Sequence, residues 1–280
     1  MKKKDLVSGL WGALVSVLIF GFFYYVLDQK YIDKFLPSSK VEGIFFFVTL
    51  LVGPLVAIVF HELGHLFMGL VQGQRCKLFV VGFLGIVEVN GKFSFYFNTN
   101  LAHFGGLVVM IPRHIDDIKA AVFARILLAG PLFSFFLGLL CIFLFIYTDT
   151  WLNSFFGFTS LVSIGLFLVT TIPDKSGMMF TDRKRYQRLK KKGATQDAEV
   201  ALYEIVCQST IENTFKCIDV KKTYLLEADS EIEMKFWAAY FRYMYYAENE
   251  REVEKKKERE QLEKLKYLVG ENSWRTLSIE

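Results

Sequence analysis

Apolar residues run almost unbroken through four stretches of the first 173 residues and give way to dense charge after them. Leu6–Leu27, Ile126–Tyr147 and Trp151–Pro173 carry no charged side chain, and Gly43–Val71 carries only Glu62. Each is long enough to cross a bilayer as a helix, which takes about 20 predominantly apolar residues. Between the second and third stretches the period changes. Lys77–Val87 is apolar, Ile86-Val87-Glu88-Val89 and Lys92–Phe97 follow, and Asn90-Gly91 stands between them. Asn-Gly between two such runs predicts a β-hairpin. The segment is too apolar for an ordinary exposed hairpin, and non-helical backbone survives near a bilayer only where it is paired or buried in protein. A small sheet beside the second span satisfies both conditions. Its edge either accepts an extended peptide by strand addition or only covers what lies beneath.

After residue 173 the apolar positions fall at helical spacing among Lys, Arg and Glu. Gln196–Gln208, Glu231–Glu248 and Arg251–Leu268 read as helices, the second with a stripe of Phe236, Trp237, Tyr240, Phe241 and Met244. The expected architecture is an α-helical integral membrane protein. It has about four transmembrane helices, a small membrane-associated β-hairpin or sheet between the second and third, and a soluble C-terminal helical domain. Residues 1–173 form the membrane domain and 183–280 the helical tail, either a compact bundle or the docking surface for a cytoplasmic partner.

Composition agrees with a bilayer as the main solvent. Hydrophobic residues are 53% of the chain and aromatics 16%. The net charge of +4 comes from lysines and arginines flanking the spans, and argues for no nucleic-acid partner. Lys2–Lys4 precede the first span, while Arg183, Lys184, Arg185, Arg188 and Lys190–Lys192 follow the fourth. The positive-inside rule places both clusters, and so both termini, in the cytoplasm of a multi-pass protein of the cell membrane. The first run is long for a signal peptide and no small-residue cleavage pattern follows it, which predicts an uncleaved anchor. No CxxC pair exists among Cys76, Cys141, Cys207 and Cys217, so neither a cysteine metal site nor disulfides are expected.

The chemistry concentrates in His61-Glu62-Leu63-Gly64-His65. On a helix, HExxH puts two imidazoles on one face, where both can bind one zinc ion, and the glutamate between them can act as general base. With 4 histidines in 280 residues, the motif arises by chance on the order of 0.004 times. Two histidines and a glutamate inside a membrane span are also costly, and such residues are functional by default. These two grounds favour a metal over a pair of hydrogen-bonded core histidines. Catalytic zinc takes three protein ligands, and the sequence offers His103, His114, Glu88, Asp116, Asp117, Asp174 and Asp182 as the third. Spacing does not choose among them.

Four stretches, within about residues 43–185, resemble the site-2 protease family of intramembrane zinc metalloproteases. They are the HExxH helix; Phe104-Gly105-Gly106-Leu107-Val108, ending the sheet-like insert; Ala129-Gly130-Pro131-Leu132, opening the next span; and Thr170-Thr171-Ile172-Pro173 with Asp182 beyond it. The resemblance implies Zn²⁺ held by His61, His65 and Asp182, with Glu62 as the catalytic base. Asp182 is preferred to Asp174 because some members carry a longer gap after the proline. Two positions depart from the family pattern: Thr170 stands where an asparagine is expected, and Arg183 where a glycine is.

The expected function is cleavage of membrane-spanning proteins or peptides near the cytoplasmic face, in a bacterial plasma membrane. Two alternatives remain beside it. A family relative that has lost turnover would bind helices or metal only. A metal transporter would carry acidic or histidine residues in several spans, and the first, third and fourth are uncharged. The topology is directly testable. Cysteines introduced at Lys40 and at Lys191 are expected to label from opposite sides of the membrane, and equal labelling from outside would overturn the four-span arrangement.

Overall fold

The computed structural model describes residues 29–89, 91–100, 103–114, 118–176 and 178–268, with Trp274 and Leu277. The expected first span, 6–27, lies outside the described residues. Helix α1 spans Gln29–Phe35, α2 Lys40–Val71, α3 Ala120–Tyr147 and α4 Asn153–Thr171. Among the described residues, α2, α3 and α4 are the helices long and apolar enough to cross a membrane. Their outer faces carry bare hydrocarbon: Phe47 is 70% and Leu51 73% exposed, as lipid-facing side chains would be.

Helix α2 begins earlier than its apolar run because Ser38, Ser39 and Glu42 build a cap. The Glu42 N–H donates to Ser39 Oγ at 3.2 Å, and the Glu42 carboxylate accepts from the Ser38 N–H and hydroxyl, both at 2.7 Å. It ends at Gly73, whose φ of +76° places it in the left-handed region that glycine adopts without strain. The Gln74 N–H reaches the Gly69 carbonyl at 3.0 Å and the Gly73 N–H the Leu70 carbonyl at 2.9 Å, the paired bonds of a Schellman motif. Pro54 lies within α2 and Pro131 within α3.

The described residues group into two compact units. One holds residues 29–54 together with Gly138–Val162. Here Lys34 donates to the carbonyls of Ile146 and Thr148, both at 3.0 Å, and pairs with Asp149 at 2.8 Å. A cation thus meets the last carbonyls of α3, where the helix dipole favours one. Within the same unit Gly53 lies against Phe158 and Thr159.

The other unit holds Leu55–Leu137 and Ser163–Glu280. Its sheet has four antiparallel strands in the order β3-β2-β1-β4: β1 Arg75–Val81, β2 Leu84–Val89, β3 Lys92–Phe97 and β4 Leu107–Ile111. The expected hairpin is β2–β3, with Gly91 at φ +75° in its turn. The apolar run before it is not one strand but two, because Gly82 at φ +55° folds β1 back onto β2. Strand β3 is an edge, and all six of its residues are exposed. At the other edge, the Met110 side chain of β4 lies against Gly69 of α2, which sets the sheet on the motif helix.

After α4 a two-residue pairing, β5 Lys175–Ser176 with β6 Met179–Phe180, leads into α5 Asp182–Lys190. Helices α6 Ala194–Glu212, α7 Val220–Glu227, α8 Ile232–Glu248 and α9 Glu252–Leu265 follow. Three of these are the expected tail helices with shifted ends. Two were not foreseen. The basic cluster after the fourth stretch is itself a helix, α5, and α7 is a short one capped by Asp219, whose carboxylate accepts the Lys221 N–H at 3.0 Å.

These helices share a core with the sheet and α3. Ile111 of β4, Phe123, Ala124 and Leu127 of α3, Leu189 of α5, and Tyr203 and Cys207 of α6 form one buried cluster. Phe123 and Tyr203 stack with ring centroids 4.0 Å apart. The Tyr203 hydroxyl lies 2.7 Å from the Met110 carbonyl and 3.1 Å from Gln74 Oε1. In this apolar setting the Cys207 thiol is pushed up to about 12, so it stays protonated and packs as a small hydrophobe.

Candidate metal centre

His61 and His65 lie one helical turn apart on α2, and their Nε2 atoms face each other at 3.2 Å. The outer nitrogens are occupied. His61 Nδ1 is 3.0 Å from Ser134 Oγ, and His65 Nδ1 is 2.7 Å from the Ile126 carbonyl. A carbonyl only accepts, so His65 carries its proton on Nδ1 and presents the Nε2 lone pair inward. Both partners belong to α3, which therefore aims the two rings.

That arrangement requires α2 and α3 to touch. A β-carbon on Gly64 would come within 2.5 Å of the Ala129 carbonyl oxygen, and one on Gly130 would overlap His65 Nε2 itself. Glycine at these two positions is a packing requirement, of the kind small residues meet between membrane helices. Glu62 is 7% exposed. Gly106, at φ +100°, sits so close that a β-carbon there would overlap the Glu62 carboxylate. Backbone of the 103–106 turn thus passes directly over the glutamate.

The third group comes from a distant segment. Asp182 is the first residue of α5, after Thr181 in extended conformation, where an acidic side chain suits the helix dipole. Its Oδ2 is 3.2 Å from His61 Nε2 and 3.5 Å from His65 Nε2. Burial by itself would raise the Asp182 carboxyl. When the rings are protonated, the adjacent His65 and His61 imidazoles outweigh it and hold the group below its ordinary range, as an anion.

The donor set fits zinc. Ligand atoms about 2.0–2.2 Å from a tetrahedral ion stand roughly 3.3–3.6 Å from one another, and the three separations here are 3.2, 3.2 and 3.5 Å. Among the described residues, His61, His65 and Asp182 are the cluster of three or more such side chains able to hold a metal. Two of the other acids weighed from the sequence are engaged elsewhere. Glu88 accepts the Gly91 N–H at 2.9 Å and lies 3.6 Å from Lys77. Asp174 accepts the Lys175 N–H at 2.7 Å. His103 and His114 are not in the cluster, and Asp116 and Asp117 lie outside the described residues.

Sequence reasoning missed Ser134. Its signal was present, as a hydroxyl in a charge-free span, fully buried here against His61. The two departures from the family pattern also find their places. The Thr170 hydroxyl donates back to its own helix, 2.8 Å from the Leu166 carbonyl. The Arg183 guanidinium lies over the Tyr186 ring, 5.3 Å from its centroid.

An apolar helix carrying HExxH, closed by a carboxylate from a second segment, has the form of a metallopeptidase centre in a membrane protein. The chain belongs to peptidase family M50, the site-2 protease family, whose description matches residues 47–267; the family's members are in general zinc metalloproteases. No curated protein and no solved structure matches the chain.

The contact at Gly130 gives a specific expectation. Gly130→Ala forces the His65 ring from its place, and should weaken zinc binding by about tenfold or more, as loss of ligand orientation does. Zinc affinity equal to the parent protein, measured by chelator competition, would show that the ring does not depend on this contact.

Proposed function

We propose that this protein is an intramembrane zinc metalloprotease that cleaves membrane-spanning segments of other proteins or peptides near the cytoplasmic face. One observation carries the reading: two imidazoles and a carboxylate converge at 3.2–3.5 Å on the helix that also bears Glu62. His61, His65 and Asp182 would hold the metal. A zinc ion held there would supply a Lewis acid, able to polarise a peptide carbonyl and to lower the pKa of a water toward neutral.

The protein's own groups do the rest. Glu62 accepts the proton of the attacking water and returns it to the leaving amine nitrogen. The 103–106 turn over Glu62 keeps bulk water from the carboxylate. A peptide bond in a helical substrate is shielded by its own hydrogen bonds, so the substrate must unwind locally. The exposed edge β3, with Phe93, Phe95 and Phe97 at 62%, 80% and 67% exposure, offers unpaired backbone to such an extended segment. The lipid bilayer holds both partners.

A second reading is supported by Thr170. The family's asparagine has no counterpart there, and the threonine hydroxyl is engaged by its own helix. On that reading the protein binds metal or helices without turnover.

Glu62→Gln separates the two. It should keep the zinc, because the ligands remain, and lower cleavage roughly a thousandfold or more, because the base is lost. The readout is mass spectrometry of membrane-protein fragments from cells carrying the parent protein or the variant. Fragments ending within apolar segments should vanish with Glu62→Gln. Identical fragments in both would contradict the protease reading and favour the inactive one.

A further inference from the structure

Asp182 lies between two short segments, and the C-terminal helices grip both. On one side is the β5–β6 pairing. Lys175 reaches Glu231 at 3.1 Å and Glu233 at 2.8 Å, and the Trp237 indole N–H donates to the Met178 carbonyl at 2.9 Å. Phe180 is buried against Ala198, Leu202 and Met234. On the other side is α5. Arg185 Nε meets one oxygen of Glu199 at 2.7 Å, and Arg188 Nε meets the other at 2.9 Å. Arg188 also pairs with Asp229 at 3.0 Å.

Glu199 is fully buried, and Arg188 is 5% exposed. A buried carboxylate holding two guanidiniums has no freedom to shift. Each partner left alone in this environment would be a buried unpaired charge, which is strongly disfavoured. The pair of bonds therefore fixes both the rotation and the axial position of α5, whose first residue is Asp182. Nothing in the cluster of His61 and His65 holds the backbone of Asp182; that backbone belongs to α5.

We propose that Glu199 is a positioning residue for the metal centre: through Arg185 and Arg188 it fixes α5 so that the Asp182 carboxylate stands against His61 and His65. The C-terminal helical domain is thus part of the metal site's construction. A ligand or partner that moves α6 would change metal affinity through the same bonds. This rests on the metalloprotease reading of the site.

The test is a double-mutant cycle read as zinc affinity, on the full chain in detergent, by competition with a chromophoric chelator. The four proteins are the parent, Glu199→Gln, Asp182→Asn and the double variant. Glu199→Gln should weaken zinc by roughly 10–100-fold, as loss of ligand-orienting groups does. Because Glu199 acts through Asp182, the double variant should bind zinc no more weakly than Asp182→Asn alone. Losses that simply add would mean Glu199 only stabilises the fold, since independent sites are additive, and would overturn the proposal. So would a Glu199→Gln protein with parental affinity. If Glu199→Gln does not fold, Arg185→Gln replaces it in the same cycle with the same expectation, since Arg188 then still pairs with Glu199. A parent protein that binds no zinc would instead sink the metalloprotease reading itself, so the two failures are distinguishable.

Discussion

Two imidazoles, each with one nitrogen turned inward, must be held side by side within an apolar helix. The rest of the molecule answers to that constraint. A metal-ligating histidine keeps its orientation only if its second nitrogen is bonded, and here Ser134 and the Ile126 carbonyl of α3 supply those bonds. Both are in reach only because α2 and α3 touch at Gly64 and Gly130, where any β-carbon would collide. Polar groups in a hydrocarbon setting are expensive when unpaired, so the same contacts that aim the rings also make their burial tolerable.

The carboxylate that completes the cluster obeys a different logic. Asp182 opens a helix whose other residues are largely basic, and that helix is secured by buried ion pairs rather than by apolar packing alone. Arg188 between Glu199 and Asp229, with Arg185 on Glu199, forms a network in which both Glu199 oxygens are used. Leu189 of the same helix joins the core shared by Ile111, Phe123 and Tyr203. Sheet, α3 and C-terminal helices thus meet around the segment that carries the third donor.

Much of this was legible in the sequence where local chemistry decides the outcome. HExxH in an uncharged run marked the motif helix, Asn90-Gly91 marked the β2–β3 hairpin, and apolar spacing marked α6, α8 and α9. What could not be read depends on contacts between distant segments. The charged run 182–192 gave a topological signal that concealed a helix, because its buried face consists of Arg188 and Leu189 and the arginine's charge is paired by the distant Glu199 and Asp229. The spacing of Asp182 and Asp174 from the histidines did not separate them; the Asp174 side chain is engaged by the Lys175 N–H, while Asp182 is delivered to the histidines by tertiary packing. Ser134 carried a signal, a hydroxyl in a charge-free span, but its partner is His61 on another helix. Gly106 likewise acquires its meaning only from the nearness of Glu62.

The central claim is that His61, His65 and Asp182 hold a single zinc ion. Zinc X-ray absorption of the purified protein, with metal content measured on the same sample, tests it most directly. The account predicts about one zinc per chain, with two imidazole nitrogens and a carboxylate oxygen at about 2.0–2.2 Å, and loss of the carboxylate contribution in Asp182→Asn. A protein that retains no zinc, or an Asp182→Asn spectrum identical to the parent's, would contradict it.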